Sequence, residues 1–245
     1  MTGKGMTLTQ RDRAVLLEAN RFGVMTREQL TRLGLFASKT RANERLKKLV
    51  DAGLLVSRRQ AGEGLGVRLV YLPGPRLPGS TEVRRRWTQA SAFFLAHQLG
   101  LVDVRVAFER ATTVSRWLAD SDLAGLTLGM IPDGYLEYAA GGLTYAAFVE
   151  YDRGTETLGR VERKVRAYAD LAFSGRFERL FGRRFFRLLL ITDSPTRLAH
   201  LSDSAARVTD RVVRLSTLSE VSHHGPLASI WRRPGATVSE FLTSH

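Results

Sequence analysis

Cysteine is absent from the 245 residues, which excludes disulfides and every cysteine-ligated zinc site. No apolar run is long enough to span a bilayer, and Met1–Thr7 lacks the apolar core of a signal peptide. The sequence therefore predicts a cytoplasmic protein with no membrane partner. Proline is scarce, at seven residues. Pro73-Gly74-Pro75 and Pro78-Gly79 gather three of them into one short stretch, which reads as a domain boundary. Internal repeats and low-complexity tracts are lacking.

Negative charge is also in short supply. Lys and Arg total 37 against 24 Asp and Glu, for a net charge of +13. The excess is concentrated at one end: residues 1–88 hold 18 basic and 7 acidic side chains, and residues 89–245 hold 19 and 17. A basic module joined to a nearly neutral one points to a polyanionic partner. Double-stranded DNA ranks ahead of an anionic membrane, because no helix carries the bulky apolar face of an interfacial anchor.

Within residues 1–75, three helix starts are legible. Thr9 precedes a helix over Arg11–Asn20 that turns Ala14, Leu17 and Val15 or Leu16 inward. Thr26-Arg27-Glu28-Gln29 is a capping box, and Ser38 caps a helix over Lys39–Ala52 that Gly53 stops. Two strand-like runs follow, 54–59 and 67–72, around the glycines Gly62, Gly64 and Gly66. Because this glycine-rich stretch precedes a strand and lacks a Lys-Ser/Thr pair, it is no phosphate loop. Three short helices and a ribbon are the order of a winged helix-turn-helix, whose third helix enters the major groove. The DNA-binding candidates are then Lys39, Thr40, Arg41, Arg45, Lys47 and Lys48 on that helix, with Arg58, Arg59 and Arg68 on the ribbon. The same charges also suit a merely solvated helix face with a Glu44–Lys48 pair.

Residues 80–220 read as a second, α/β module and 221–245 as a tail with Trp231 as an anchor. A long helix is expected to about Gln98, then a strand over Val102–Glu109 and a loop containing Trp117. A helix to Phe173, a buried strand over Phe185–Ile191, a helix through Leu198–Val208 and a short strand at Val212–Leu215 complete it. Between them, Gly141-Gly142 supplies the positive φ angles of a two-residue hairpin turn. Counting outward from that turn sets Asp133 opposite Glu150, and Asp152 shares the face of Glu150. Three carboxylates at one hairpin end need compensation. Either a divalent metal held by Asp133, Glu150 and Asp152 or an arginine such as Arg153 provides it. The histidines show no ligand spacing, and no nucleophile–base pair, dinucleotide fingerprint or small-molecule substrate is evident.

The order of elements resembles the PD-(D/E)xK nuclease superfamily, with Pro132-Asp133 in the first motif position and Glu150-Tyr151-Asp152 in the second. That resemblance implies a magnesium or manganese cofactor and a catalytic set of Asp133, Glu150, Asp152 and a cation. Asp152 stands where the motif has lysine, and Lys164 in the next helix is the candidate replacement. From residue 9 to about 190 the chain also resembles the bacterial replication-relaxation family. Pro132-Asp133, the segment Glu150-Tyr151-Asp152-Arg153-Gly154-Thr155-Glu156, Lys164 and Tyr168 carry this resemblance. It implies a winged helix followed by a restriction-endonuclease-like α/β domain with a mixed sheet. The leading function is DNA binding in plasmid or mobile-element replication, relaxation or transcription control. A metal-dependent endonuclease or nickase is the second reading, and a homodimerising nuclease-like module the third.

Overall fold

The computed structural model describes residues 7–61 and 67–243. The chain divides into two compact units, Met1–Val102 and Asp103–His245. Gly62, Gly64 and Gly66, read above as a ribbon tip, lie outside the described residues.

In the first unit, α1 (Gln10–Phe22), β1 (Met25–Thr26), α2 (Arg27–Arg32) and α3 (Lys39–Asp51) precede the strands β2 (Leu55–Ala61) and β3 (Val67–Pro73). Local chemistry sets each helix start. Thr9 and Asp12 form a reciprocal capping box at α1, Thr26 and Gln29 form another at α2, and Ser38 caps α3. Each satisfies backbone N–H groups that a helix end otherwise leaves unpaired. The strands make an antiparallel sheet in the order β1-β3-β2. Val15, Leu16, Leu30, Ala42, Leu46 and Leu49 are buried. Leu17, expected inward, is 65% exposed, and Asp12 takes an inward position instead.

The proline-rich stretch does not end this unit. Helix α4 (Thr81–Thr88) follows it, and Trp87, Ala90, Leu95 and Leu99 pack with Val24, Val70 and Leu72. The long helix expected here is broken at residues 89–91. Its continuation, α5 (Ala92–Ala111), also replaces the strand expected at Val102–Glu109. The alternating valines at 102, 104 and 106 misled because most of α5 is buried, and a helix buried all round loses its amphipathic period.

The second unit is a mixed α+β structure around a seven-stranded mixed sheet in the order β10-β9-β8-β7-β6-β5-β4. The strands are β4 (Val114–Ala119), β5 (Gly134–Ala140), β6 (Leu143–Asp152), β7 (Arg187–Thr192), β8 (Val213–Thr217), β9 (Trp231–Arg232) and β10 (Ser239–Glu240). Only β6, β7 and β8 run parallel. The helices are α6 (Asp120–Leu123), α7 (Leu158–Phe173), α8 (Arg176–Phe181), α9 (Pro195–Ala206) and α10 (Leu218–His224). Trp117 lies in β4 rather than a loop; a register shift between Val114 and Arg116 hides its alternation. One sheet face carries an aromatic core of Tyr135, Phe148, Tyr168, Phe177, Phe181 and Phe186. The tail is ordered into α10, β9 and β10, with Trp231 fully buried and donating to the Pro226 carbonyl at 2.8 Å.

Candidate functional site

Gly141 and Gly142, at φ of 55° and 78°, form the turn between β5 and β6. Ala140 faces Leu143 and Gly134 faces Val149, so the next step outward brings Asp133 beside Glu150. The Tyr151 N–H donates to Asp133 Oδ2 at 2.9 Å and fixes that carboxylate against β6.

Glu150 is buried on the face covered by α7. Lys164 Nζ reaches Glu150 Oε2 at 2.7 Å and Glu156 Oε1 at 2.9 Å, while Tyr168 Oη donates to Glu150 Oε1 at 2.6 Å. Lys164 and Tyr168 are one helical turn apart, so one face of α7 presents both to the same carboxylate. Burial, and then the neighbouring charge of Asp133, push Glu150 up to about 7. Lys164 and Tyr168 pull in the opposite direction without reversing the shift. Burial opposes the charge on Lys164, but Glu150, Glu156 and Asp133 outweigh it and raise the ammonium's pKa. Both members of the pair thus hold protons more tightly, the glutamate chiefly because it is buried and the lysine because acids surround it.

Asp152 is placed differently. Its carboxylate accepts from Arg197 Nε at 3.2 Å and from Arg197 NH2 at 2.5 Å, and also from the Gly154 N–H. Arg197 donates as well to the Glu156 carbonyl at 2.6 Å, tying α9 to the loop that carries Glu156. Arg153, the alternative partner for the acids, instead pairs with Asp193 at 3.4 Å, and Tyr151 Oη also donates to Asp193. Among the described residues, no group of three histidine, cysteine, aspartate or glutamate side chains is placed to hold a metal ion. Asp133 and Glu150 remain as a two-carboxylate oxygen set, a number that suffices for magnesium when waters and substrate phosphate complete the shell. Sequence spacing could not foresee Arg197, which acts from 45 residues away.

In the first unit, Lys39, Thr40, Arg41, Lys47 and Lys48 are exposed on α3, with Lys47 bonded to Asp51 at 2.6 Å. Arg45 is turned to α1, where Nε donates to the buried Asp12 Oδ1 at 2.6 Å and NH2 to Oδ2. Burial raises the Asp12 carboxyl, but hydrogen bonds from Arg45 and Thr9 more than reverse this and lower its pKa. Arg59 is exposed on β2. Arg58 donates to the Ala90 carbonyl at 3.1 Å, and Arg68 is half-buried with its Nε enclosed.

The sequence profile of the replication-relaxation family matches residues 17–183. The chain belongs to that family. Among solved structures, this family member is similar to the restriction endonuclease FokI at 14% identity. The similarity covers 89% of this chain and 44% of that one, with a TM-score of 0.36. For FokI bound to DNA the identity is 12%, the coverage 89% and 45%, and the TM-score 0.30. The chain thus spans less than half the length of either structure. No curated protein matches its sequence. No described helix is long and apolar enough to cross a membrane.

Proposed function

We propose that this replication-relaxation protein acts on DNA, docking on the duplex through its first unit. The observation that carries this reading is the exposed row Lys39, Thr40, Arg41, Lys47 and Lys48 on a capped helix. The succession α1, α2, α3, β2, β3 supports a winged helix, in which α3 would lie in the major groove and the ribbon against the backbone. Arg59 would contact phosphate from the ribbon. Arg45 and Arg58 would serve the fold, since their guanidinium groups are already engaged. Anisotropy of a labelled duplex titrated with the full chain tests the docking. If about six phosphates are neutralised, affinity falls by roughly 10³-fold or more between 50 and 200 mM salt. Absence of binding at low salt, or indifference to salt, sinks the reading.

The convergence of Asp133, Glu150 and Lys164 favours a second reading, metal-dependent cleavage of a phosphodiester. Asp133 and Glu150 would hold magnesium or manganese; Asp152, committed to Arg197, would not. When bound, the ion would supply an electrophile for phosphate oxygen and acidify a bound water. Lys164 would keep a positive charge beside the reacting phosphate, in place of the lysine that the Glu-x-Lys motif puts at position 152. Tyr168 would hold the Glu150 rotamer, and the Arg197–Asp152 pair would anchor the loop bearing Glu156. A homodimer built on the second unit is the remaining alternative.

A further inference from the structure

At the turn end of the β5–β6 hairpin the second unit has an open groove of 810 Å³. Seven residues separate Leu143 at the turn from Glu150, which is about 23 Å at a strand's rise. The groove reaches Ala146, four residues or about 13 Å from Glu150, and none of Asp133, Glu150 and Asp152 lines it. Leu143, Phe173 and Phe185 line it, and they are 62%, 66% and 77% exposed. Large apolar side chains clustered in this way mark a surface that a partner covers.

The chemistry of the rim selects the partner. Arg183, Arg184, Arg187 and Arg211 line the groove, and no aspartate or glutamate does. Arg183 is partly neutralised by Glu137 at 2.7 Å, and the Arg187 guanidinium donates to the Arg211 carbonyl. Arg184 and Arg211 have no ion-pair partner among the described residues. The Arg184 guanidinium lies 5.4 Å from the centre of the Phe185 ring, so a cation and an exposed aromatic face sit side by side. Exposed rings interleaved with arginines supply both halves of a single-stranded nucleic acid: rings stack on unpaired bases, and guanidinium groups follow the phosphates. A duplex keeps its base faces inside the stack and offers nothing to Phe173 or Phe185.

The geometry points to this groove as a binding site for single-stranded DNA, separate from the α3 surface and built only from residues of the second unit. Binding here gives the protein a way to hold a displaced strand by its bases.

The test uses the full chain and a fluorescent oligo(dT) of about 12 nucleotides, within the range such sites occupy. A hairpin duplex serves as the second probe. The double variant Phe173→Ala/Phe185→Ala is expected to lose about tenfold or more in oligo(dT) affinity and to keep its duplex affinity. Arg184→Ala/Arg211→Ala should also weaken oligo(dT) binding and flatten its salt dependence. Arg41→Ala should do the reverse, lowering duplex affinity and leaving oligo(dT) unchanged, so failure of either site is read separately. Unchanged oligo(dT) affinity in both groove variants, with melting temperatures matching wild type, overturns the proposal. Loss of self-association in the aromatic variant, seen by sedimentation with oligo(dT) affinity intact, also overturns it and assigns the groove to a second copy of the chain.

Discussion

Lys164 Nζ lies 2.7 Å from Glu150 Oε2, joining a helix to a strand across 14 residues of sequence. A lysine on α7 thus sets its ammonium against the buried glutamate of β6. If the site cleaves DNA, Asp133→Ala, Glu150→Ala and Lys164→Ala should each abolish magnesium-dependent nicking of supercoiled plasmid and leave duplex affinity within about twofold. Asp152→Asn should retain nicking better than these three, because Asp152 faces Arg197. Nicking that survives in Lys164→Ala would remove the lysine from the chemistry.

Glu150 makes stability depend on pH. Its carboxyl is raised to about 7 by burial, then by Asp133, against 4.5 for a free glutamate. Between those values the folded chain binds more protons than the unfolded one, so stability falls as pH rises through the interval. Melting temperature in wild type should decline from about pH 4.5 to 7 through this group. Glu150→Gln should remove that part of the slope, because the amide does not titrate. Parallel melting curves for the two proteins would show that Glu150 is not raised.

Arg45→Ala should destabilise the first unit by about 2–4 kcal/mol, since it leaves the buried Asp12 carboxylate without its guanidinium. The Asp12 pKa is depressed, so its contribution is complete above the unfolded value and is lost as acid protonates the group. Urea unfolding near pH 7 and near pH 3 should therefore give a smaller difference between Arg45→Ala and wild type in acid. An equal difference at both pH values would contradict this role.

Two glycine substitutions should differ in sign. Gly23 has φ of 74°, and a Cβ there would lie 1.7 Å from Trp87 Nε1. Gly23→Ala should cost about 2 kcal/mol or more through backbone strain and displacement of the indole. Gly159, the second residue of α7, has nothing within 4 Å of its added Cβ. Gly159→Ala should stabilise by about 0.5–1 kcal/mol, because alanine loses less backbone freedom in a helix. Denaturant midpoints that move in the same direction would defeat the contrast.

What was legible in the sequence was whatever is decided locally. Thr9, Thr26 with Gln29, and Ser38 cap helices through neighbours three residues away. Gly141-Gly142 fixed the register that sets Asp133 beside Glu150. Interactions between distant segments were not legible. The Arg45 that covers Asp12 comes from 33 residues further along the chain. Asp152 reads as a companion of Glu150 until Arg197 takes it. Helix α5 was hidden for another reason: buried on most sides, it has no polar stripe to reveal its period.

The strand order β10-β9-β8-β7-β6-β5-β4 has a consequence for synthesis. Each strand pairs with the one made immediately before it, so no strand must later be threaded between two already in place. The second unit can therefore be laid down progressively as the chain leaves the ribosome, which keeps unpaired edges brief. Arg214 waits for the last strand. Its guanidinium, 1% exposed once folded, meets Glu240 only when β10 arrives. At roughly 5–20 residues per second that is a wait of about one to five seconds. The last two-residue strand is thus the step that completes the charge balance of a sheet otherwise finished.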